Sequence, residues 1–173
     1  AFRYTKAKVV AITGSNGKTT TTLLVGHILK KAGLDVLIAG NIGVGFAREI
    51  ANRDYSYIVL ELSSFQLDGI KEFKPNVAII LNITPDHLNR YENDFSKYIA
   101  SKLRITMNQQ KEDVLIYNRD DKQIKANLKT KAKAIPISIN KQIAGNGAVY
   151  KNNKININLN NKKMTIQELA LQG

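Results

Sequence analysis

Short apolar runs alternate with segments of helical periodicity along the first 139 residues. The runs are rich in β-branched residues and end at turn-forming residues, so they predict strands over 8–12, 36–39, 57–62, 76–83, 114–117 and 135–139. The segments between them predict helices over 18–32, 45–52, 95–108 and 121–130, and Gly33 is a stop signal for the first. Strands that alternate with helices indicate an α/β fold with a mostly parallel sheet flanked by helices.

The pattern changes after residue 140. Ile155, Ile157 and Leu159 alternate with asparagines, which is the period of a strand. Pairs of asparagines at 152–153 and 160–161 stand where hairpin turns are expected. We therefore expect one domain over 1–173, made of a parallel core (1–139) and a small antiparallel β meander (140–173) at its C-terminal end.

The first predicted strand runs into a loop that has the properties of a phosphate-binding loop (P-loop). A strand ends, the glycine-containing residues 14–17 follow, and Lys18, Thr19 and Thr20 open a helix. Glycines let backbone N–H groups approach a phosphate, and the helix N-terminus favours an anion. Lys18 is expected to neutralise the β- and γ-phosphates and Thr19 to ligate Mg²⁺. Ile12 stands where the common motif has glycine, so an ordinary strand–helix turn with an incidental lysine is the alternative.

Polar residues also follow other predicted strands. Glu61 lies near the end of the third strand, beside the phosphate loop, where it can hold Mg²⁺. The alternative is a carboxylate satisfied by a helix N-terminus. Asp86 and His87 follow the fourth strand, although a single histidine is more often structural. Lys102 lies on a predicted helix, where a surface lysine is the simpler interpretation.

Composition narrows the function classes. The chain has no cysteine, which excludes disulfides, thiolate zinc sites and a cysteine nucleophile. Its net charge is +12, and residues 111–163 contribute +8 of it, from 12 basic and 4 acidic residues. Only Tyr117 and Tyr150 are aromatic there, so a solvated surface is favoured over nucleic-acid binding.

Targeting and membrane signals are missing from the sequence. The longest apolar run, 77–81, is far shorter than the ~20 residues of a membrane span. Residues 1–8 hold no apolar signal core. We predict a cytoplasmic protein without a membrane partner, and the chain reads as a piece of something longer.

Four segments together resemble the ATP-dependent Mur ligases of peptidoglycan synthesis. They are residues 13–20, 40–43, 61–67 and 82–91. The family's phosphate loop also lacks the early glycine, which explains Ile12. Residues 40–43 and 61–67 are similar to the branch that adds D-glutamate; that branch usually has Glu where Pro85 stands. Residues 118–121 match a further family segment, to which no chemistry is assigned.

The resemblance implies a role for each matching residue. The ATP phosphates would be bound by Gly14, Ser15, Asn16, Gly17, Lys18, Thr19 and Thr20. Thr19 would bind the first Mg²⁺, and Glu61 and His87 would hold the second. Lys102 matches the family's carbamylated lysine, whose anion could complete the metal's ligand set. Carbamylation needs the neutral amine, so this site should lower the pKa of Lys102. Lys18, His87 and Lys102 would be catalytic, and Asn41 and Ser63 would lie near the substrate.

The implied activity is that of an ATP-dependent ligase. It would join D-glutamate to UDP-N-acetylmuramoyl-L-alanine through an acyl phosphate. The family has three domains, and the N-terminal UDP-binding and C-terminal domains are not expected in this chain. We therefore expect a monomer that binds Mg-nucleotide weakly and does not ligate by itself. The alternatives are another Mur ligase, folylpolyglutamate synthase, or a non-catalytic basic module that binds nucleotides or nucleic acid. A GTPase-type switch would need an Asn-Lys-x-Asp motif, which the chain lacks.

Overall fold

The computed structural model describes residues 1–43 and 45–166. The strands are β1 (Lys8–Thr13), β2 (Val36–Gly40), β3 (Tyr57–Glu61), β4 (Val77–Ile80), β5 (Val114–Asn118), β6 (Lys133–Ser138), β7 (Gly147–Lys151), β8 (Lys154–Leu159) and β9 (Lys162–Ile166). The α-helices are α1 (Lys18–Lys31), α2 (Phe46–Asn52), α3 (Ser64–Asp68), α4 (Phe95–Leu103) and α5 (Lys122–Asn127). Short 3₁₀ helices span Phe2–Tyr4, Leu88–Tyr91 and Arg104–Thr106.

The strands form a single sheet in the order β2-β3-β1-β4-β5-β6-β7-β8-β9. Neighbours from β2 to β7 pair in parallel, and β7, β8 and β9 pair antiparallel. This confirms the predicted α/β fold with an antiparallel C-terminal end. The last three strands extend the main sheet, because Ile137 of β6 pairs with Ala148 of β7.

The central strands are buried on both faces. Val9 and Ala11 of β1 join one apolar cluster, which contains Tyr98 and Ile99 of α4. Ile12 of the same strand belongs to a second cluster on the opposite face. Burial on both sides explains why these strands read as continuous apolar runs.

Turn residues behave as the sequence predicts. Gly33 follows α1 with φ +77° and donates its N–H to the Lys30 carbonyl. Both asparagine pairs have positive φ and connect β7 to β8 and β8 to β9. Asparagine tolerates this left-handed conformation better than most residues, which is why it marks these hairpins.

Several boundaries differ from the prediction. The fourth strand ends at Ile80, because the chain beyond Leu81 turns to hydrogen-bond the loop after β1. The helix predicted over 95–108 ends at Leu103 and continues as a 3₁₀ turn. Helix α3 has no counterpart in the prediction, since five residues are too few to show a helical period. Residues 167–173 of the predicted meander region lie outside the described part of the chain.

Within residues 1–43 and 45–166, no helix is both long enough and apolar enough to cross a membrane.

Candidate active site

In the loop between β1 and α1, the side chain of Lys18 folds back onto the carbonyl groups of the loop itself. Gly17 precedes α1 with φ +79°, a conformation that glycine adopts without steric cost. The Lys18 ammonium donates to the carbonyls of Gly14 and Ser15, each at 2.9 Å. The first N–H groups of α1 have no acceptor within the helix, as at any helix N-terminus. The loop therefore presents backbone donors and one cation to the same space, as an anion site requires.

A segment after β4, residues 82–84, braces this loop. The Asn82 amide accepts from the Asn16 N–H at 2.8 Å and donates to the Asn16 carbonyl at 3.0 Å. The Asn82 carbonyl accepts from the Ser15 N–H at 2.9 Å. The Ser15 hydroxyl donates to the Thr84 carbonyl at 2.9 Å and accepts from the Thr84 N–H at 3.0 Å. We call residues 82–84 the bracing segment, because it holds the loop through both main-chain and side-chain bonds.

Glu61 ends β3 as a buried carboxylate, with 1% of its surface exposed. One oxygen accepts from the Thr19 hydroxyl at 2.8 Å, and the other accepts from the Asn41 amide at 2.9 Å. Among the described residues, no ion pair includes Glu61. A buried anion held only by neutral donors has the chemistry of a cation ligand. Thr19 and Glu61 are thus in direct contact, while their roles as Mg²⁺ ligands stay predictions.

Lys102 lies inside the protein, with 2% of its surface exposed. Its ammonium donates to the Gly14 carbonyl at 2.9 Å and lies 4.8 Å from the centre of the Tyr98 ring. Burial, and then the charge of Lys18, lower the pKa of Lys102 to about 8, although Asp86 opposes the shift. The surface interpretation of this lysine is wrong, because α4 turns it toward the phosphate loop. A lowered pKa makes the neutral amine accessible near neutral pH.

A small cavity of about 140 Å³ is lined by both Lys18 and Lys102. Its lining is Lys18, Asn41, Ser63, Ser64, Phe65, Asp86, His87, Tyr98 and Lys102. The cavity lies at the carboxyl ends of the parallel strands, the edge of such sheets where ligands usually bind.

His87 lies at the outer side of this cavity. Its side chain is 61% exposed, and its Nε2 atom lies 3.6 Å from the Asp86 carboxylate. The His87 ring packs 5.5 Å from the ring of Phe65. Within the described ranges, no three His, Asp or Glu side chains are grouped closely enough to hold a metal by themselves. Glu61 does not line the cavity itself, but its partner Asn41 does.

Known proteins with related sequences identify the family. The model of the Mur ligase middle domain matches residues 12–173. The chain belongs to the Mur ligase middle domain family. It is 50% identical over 175 residues to UDP-N-acetylmuramoylalanine–D-glutamate ligase of Christiangramia forsetii, covering 98% of this chain and 39% of that protein. The chain thus spans about two fifths of the length of this relative.

Solved structures of other ligases share the fold at low sequence identity. MurF ligase from Thermotoga maritima, in complex with ADP, is 18% identical, with a TM-score of 0.66 over 95% of this chain and 41% of that chain. A bifunctional folylpolyglutamate synthase/dihydrofolate synthase, with Mn, AMPPNP and L-glutamate bound, is 13% identical, with a TM-score of 0.62 over 94% and 49%. These likenesses show that the chain shares its fold with both proteins.

Five of the twelve predicted site residues of this Mur ligase domain line one cavity. Lys18, Asn41, Ser63, His87 and Lys102 all line the cavity. Asn41 also donates to Glu61, a contact that the sequence does not indicate. Ser63 begins α3 through a capping box with Gln66, so its hydroxyl has a structural partner as well. The chemical roles assigned to these residues remain predictions.

Sequence reasoning missed the residues that shape the phosphate loop from outside. Asn82, Thr84 and Tyr98 contact it from 66 to 83 positions away in the chain. Tyr98 occupies an apolar position in the helical pattern of residues 95–108, yet its hydroxyl lies 3.0 Å from that of Ser15. Asn82 and Thr84 flank apolar Ile83 at the end of the predicted fourth strand, and this pattern does not indicate a partner for either residue.

Proposed function

We propose that this chain is the ATP-binding middle domain of a ligase that adds D-glutamate to UDP-N-acetylmuramoyl-L-alanine. The observation that carries the proposal is a cavity lined by Lys18, Asn41, His87 and buried Lys102, beside which the Glu61 carboxylate accepts from Thr19 and from Asn41. The D-glutamate ligase of C. forsetii, 50% identical, supports the choice of acceptor. Activity of the whole enzyme involves parts of that relative that this chain does not match, so it belongs to the proposal.

The proposed reaction has two steps. First, an oxygen of the L-alanine carboxylate attacks the γ-phosphorus of ATP, the bond to the β,γ-bridging oxygen breaks, and ADP leaves. Second, the amine of D-glutamate attacks the carbonyl carbon of the acyl phosphate. Inorganic phosphate leaves, and the nitrogen loses a proton as the amide forms. Both starting groups are anions, so the site must offset their repulsion before they meet.

Residues of this chain provide the positive potential that offsets the repulsion between the two anions. Lys18 and the N-terminus of α1 bind the phosphates, because both present positive electrostatic potential to the loop. Thr19, Glu61, His87 and Lys102 are the proposed residues for two Mg²⁺ ions, with Lys102 carbamylated. The fit rests on Glu61, a buried carboxylate that no described cation neutralises. Mg²⁺, when bound, supplies positive charge for the phosphate and carboxylate oxygens.

The lowered pKa of Lys102 supports its carbamylation. CO₂ reacts with the neutral amine, and a pKa of about 8 leaves an appreciable neutral fraction at physiological pH. The resulting carbamate is an anion, and it would reverse the charge that now lies beside Lys18.

Cytoplasmic location, a monomeric state and the lack of a nucleic-acid partner stay predictions.

Phosphate release by the intact protein tests the proposal. The assay contains ATP, Mg²⁺ and UDP-N-acetylmuramoyl-L-alanine, with D-glutamate, L-glutamate, meso-diaminopimelate or L-lysine offered in turn. We expect release with D-glutamate alone and its loss in Lys18→Met. The matched control is Lys31→Met at the far end of the same helix, which should retain activity.

Other outcomes separate the alternatives. Release with a different acceptor keeps the ATP site and rejects the D-glutamate assignment. No release with any acceptor, together with Lys18-independent binding to nucleic acid that collapses at high salt, replaces the ligase proposal with the basic-module alternative.

A further inference from the structure

Asp120 and Asp121 follow β5, and their carboxylates accept hydrogen bonds from different parts of the protein. They belong to residues 118–121, the segment to which the sequence assigns no chemistry. Asp120 faces the end of β6, where it accepts from the Ser138 hydroxyl at 2.7 Å and from the Ile139 N–H at 2.8 Å. Asp121 faces the other way, toward the bracing segment of the phosphate loop. The pair therefore offers two similar carboxylates with different partners.

Asp121 joins two structures with its two oxygens. One oxygen accepts from the Ile124 N–H at 2.9 Å, which caps the start of α5. The other accepts from the Ile83 N–H at 2.8 Å, in the middle of the bracing segment. Ile83 is 2% exposed, so its N–H has little access to water as an alternative partner. The carboxylate thus ties the bracing segment to a helix that has no other role in the site.

The chain of contacts from Asp121 to the nucleotide loop is short. Ile83 lies between Asn82, which holds both main-chain groups of Asn16, and Thr84, which holds the hydroxyl of Ser15. A shift of Ile83 therefore moves the partners of two consecutive loop residues. Phosphate binding by backbone N–H groups depends on their directions, so a small shift weakens it.

We propose that Asp121 is a positioning residue for nucleotide binding: it holds the bracing segment in the place that keeps the phosphate loop in shape. This inference rests on the proposed function, since it assumes that the loop binds a nucleotide. Asp121 itself touches no reacting group, and it acts through Ile83 and its two neighbours.

The decisive variant removes the brace and keeps the helix cap. In Asp121→Ser the hydroxyl still caps α5, because serine is as good an N-cap as aspartate, but the side chain is too short to reach Ile83 as well. Asp120→Ser is the matched control, because the same change one residue earlier affects the end of β6 instead. Binding of Mg·ADP to the intact protein is measured for both variants, with thermal unfolding to compare their stability.

We expect Asp121→Ser to weaken Mg·ADP binding roughly tenfold, because the buried N–H of Ile83 would lose its acceptor. Asp120→Ser should change it by less than about twofold, even if both variants lose similar stability. In turnover, Asp121→Ser should raise KM for ATP while KM for UDP-N-acetylmuramoyl-L-alanine stays unchanged. Equal affinity in the unaltered protein and Asp121→Ser would overturn the inference and leave the proposed function intact. Failure of the unaltered protein to bind Mg·ADP would overturn both.

Hydrogen exchange supplies a second test that needs no variant. Exchange of the Ile83 amide in the unaltered protein should slow at least several-fold when Mg·ADP binds, because the loop and its brace are then ordered together. The Ile139 amide, held by Asp120, serves as the internal control and should not change. An Ile83 rate that is insensitive to Mg·ADP contradicts the inference, even if Asp121→Ser fails to fold.

Discussion

Lys102 is expected to reduce the stability of the folded chain at neutral pH. Its pKa is about 8 in the folded state against an ordinary 10.5, chiefly because of burial and then because of the charge on Lys18. Below pH 8 the Lys102 side chain is charged in both the folded and the unfolded state, and its charge lowers the stability of the folded state. A shift of this size corresponds to about 3 kcal/mol at pH 7. The cost disappears as pH rises from about 8 to about 10.5, so this group makes stability increase over that range.

Replacement by methionine isolates this effect. Lys102→Met keeps most of the volume and removes the charge, and the Gly14 carbonyl keeps the Lys18 ammonium as a donor. We therefore expect the variant to be more stable than the unaltered chain at pH 7, by about 1–3 kcal/mol. Its advantage should shrink by about 2 kcal/mol between pH 7 and pH 9.5, as the lysine of the unaltered chain loses its proton.

Urea unfolding in CO₂-free buffer at several pH values measures the difference. Exclusion of CO₂ matters because carbamylation would consume the neutral amine. Lys97→Met is the control, since Lys97 lies on the same helix but is exposed and paired with Glu92. That pairing raises the pKa of Lys97, so no change in relative stability is expected between pH 7 and pH 9.5. A stability difference for Lys102→Met that is independent of pH over this range would refute the reasoning.

Two further changes test other contacts of the site. Thr19→Val should lower the free energy of unfolding by about 1–3 kcal/mol, because it removes a donor from the buried Glu61 carboxylate, whereas Thr19→Ser should largely restore it in the same urea titration. Gly40→Ala should cost at least about 2 kcal/mol in thermal unfolding, because φ is +111° and the new Cβ would lie 2.2 Å from the Glu61 carbonyl oxygen. Gly45→Ala, where a Cβ meets open space, should change stability by less than about 1 kcal/mol, and a similar loss in both variants would contradict the close-contact argument.

The sheet and its helices could be predicted because their signals are local. Five of the six parallel-core strands predicted agree with the structure within two residues, and the asparagine hairpins agree as well. The exception is the fourth strand, whose last residues leave the sheet to brace the phosphate loop. Helix α3 was missed for a related reason: its only local signal is the Ser63–Gln66 capping box, which is short and common.

In the candidate site, too, some residues can be predicted from local sequence and others cannot. The sequence alone predicts Lys18 as a phosphate ligand and Thr19 as a Mg²⁺ ligand, because the strand, the loop and the helix N-terminus are contiguous in sequence. Lys102 could be placed only through a family resemblance, since its helical pattern alone suggests a surface residue. Its burial against the Gly14 carbonyl, 88 positions away, depends on how α4 packs.

The class of fold, the loop between β1 and α1 and the positions of polar residues near the strand ends can all be predicted from the sequence, because each depends on a periodicity or on neighbouring residues. Which of those polar residues meet depends on the packing of distant segments. Asn41 and Thr19 share one carboxylate, and Asp121 holds Ile83, only because the five parallel strands β1 to β5 end at one edge of the sheet. Strand order and side-chain direction arise from packing between distant segments, which no local pattern records. The lowered pKa of Lys102 has the same origin, since burial is a property of the assembled core.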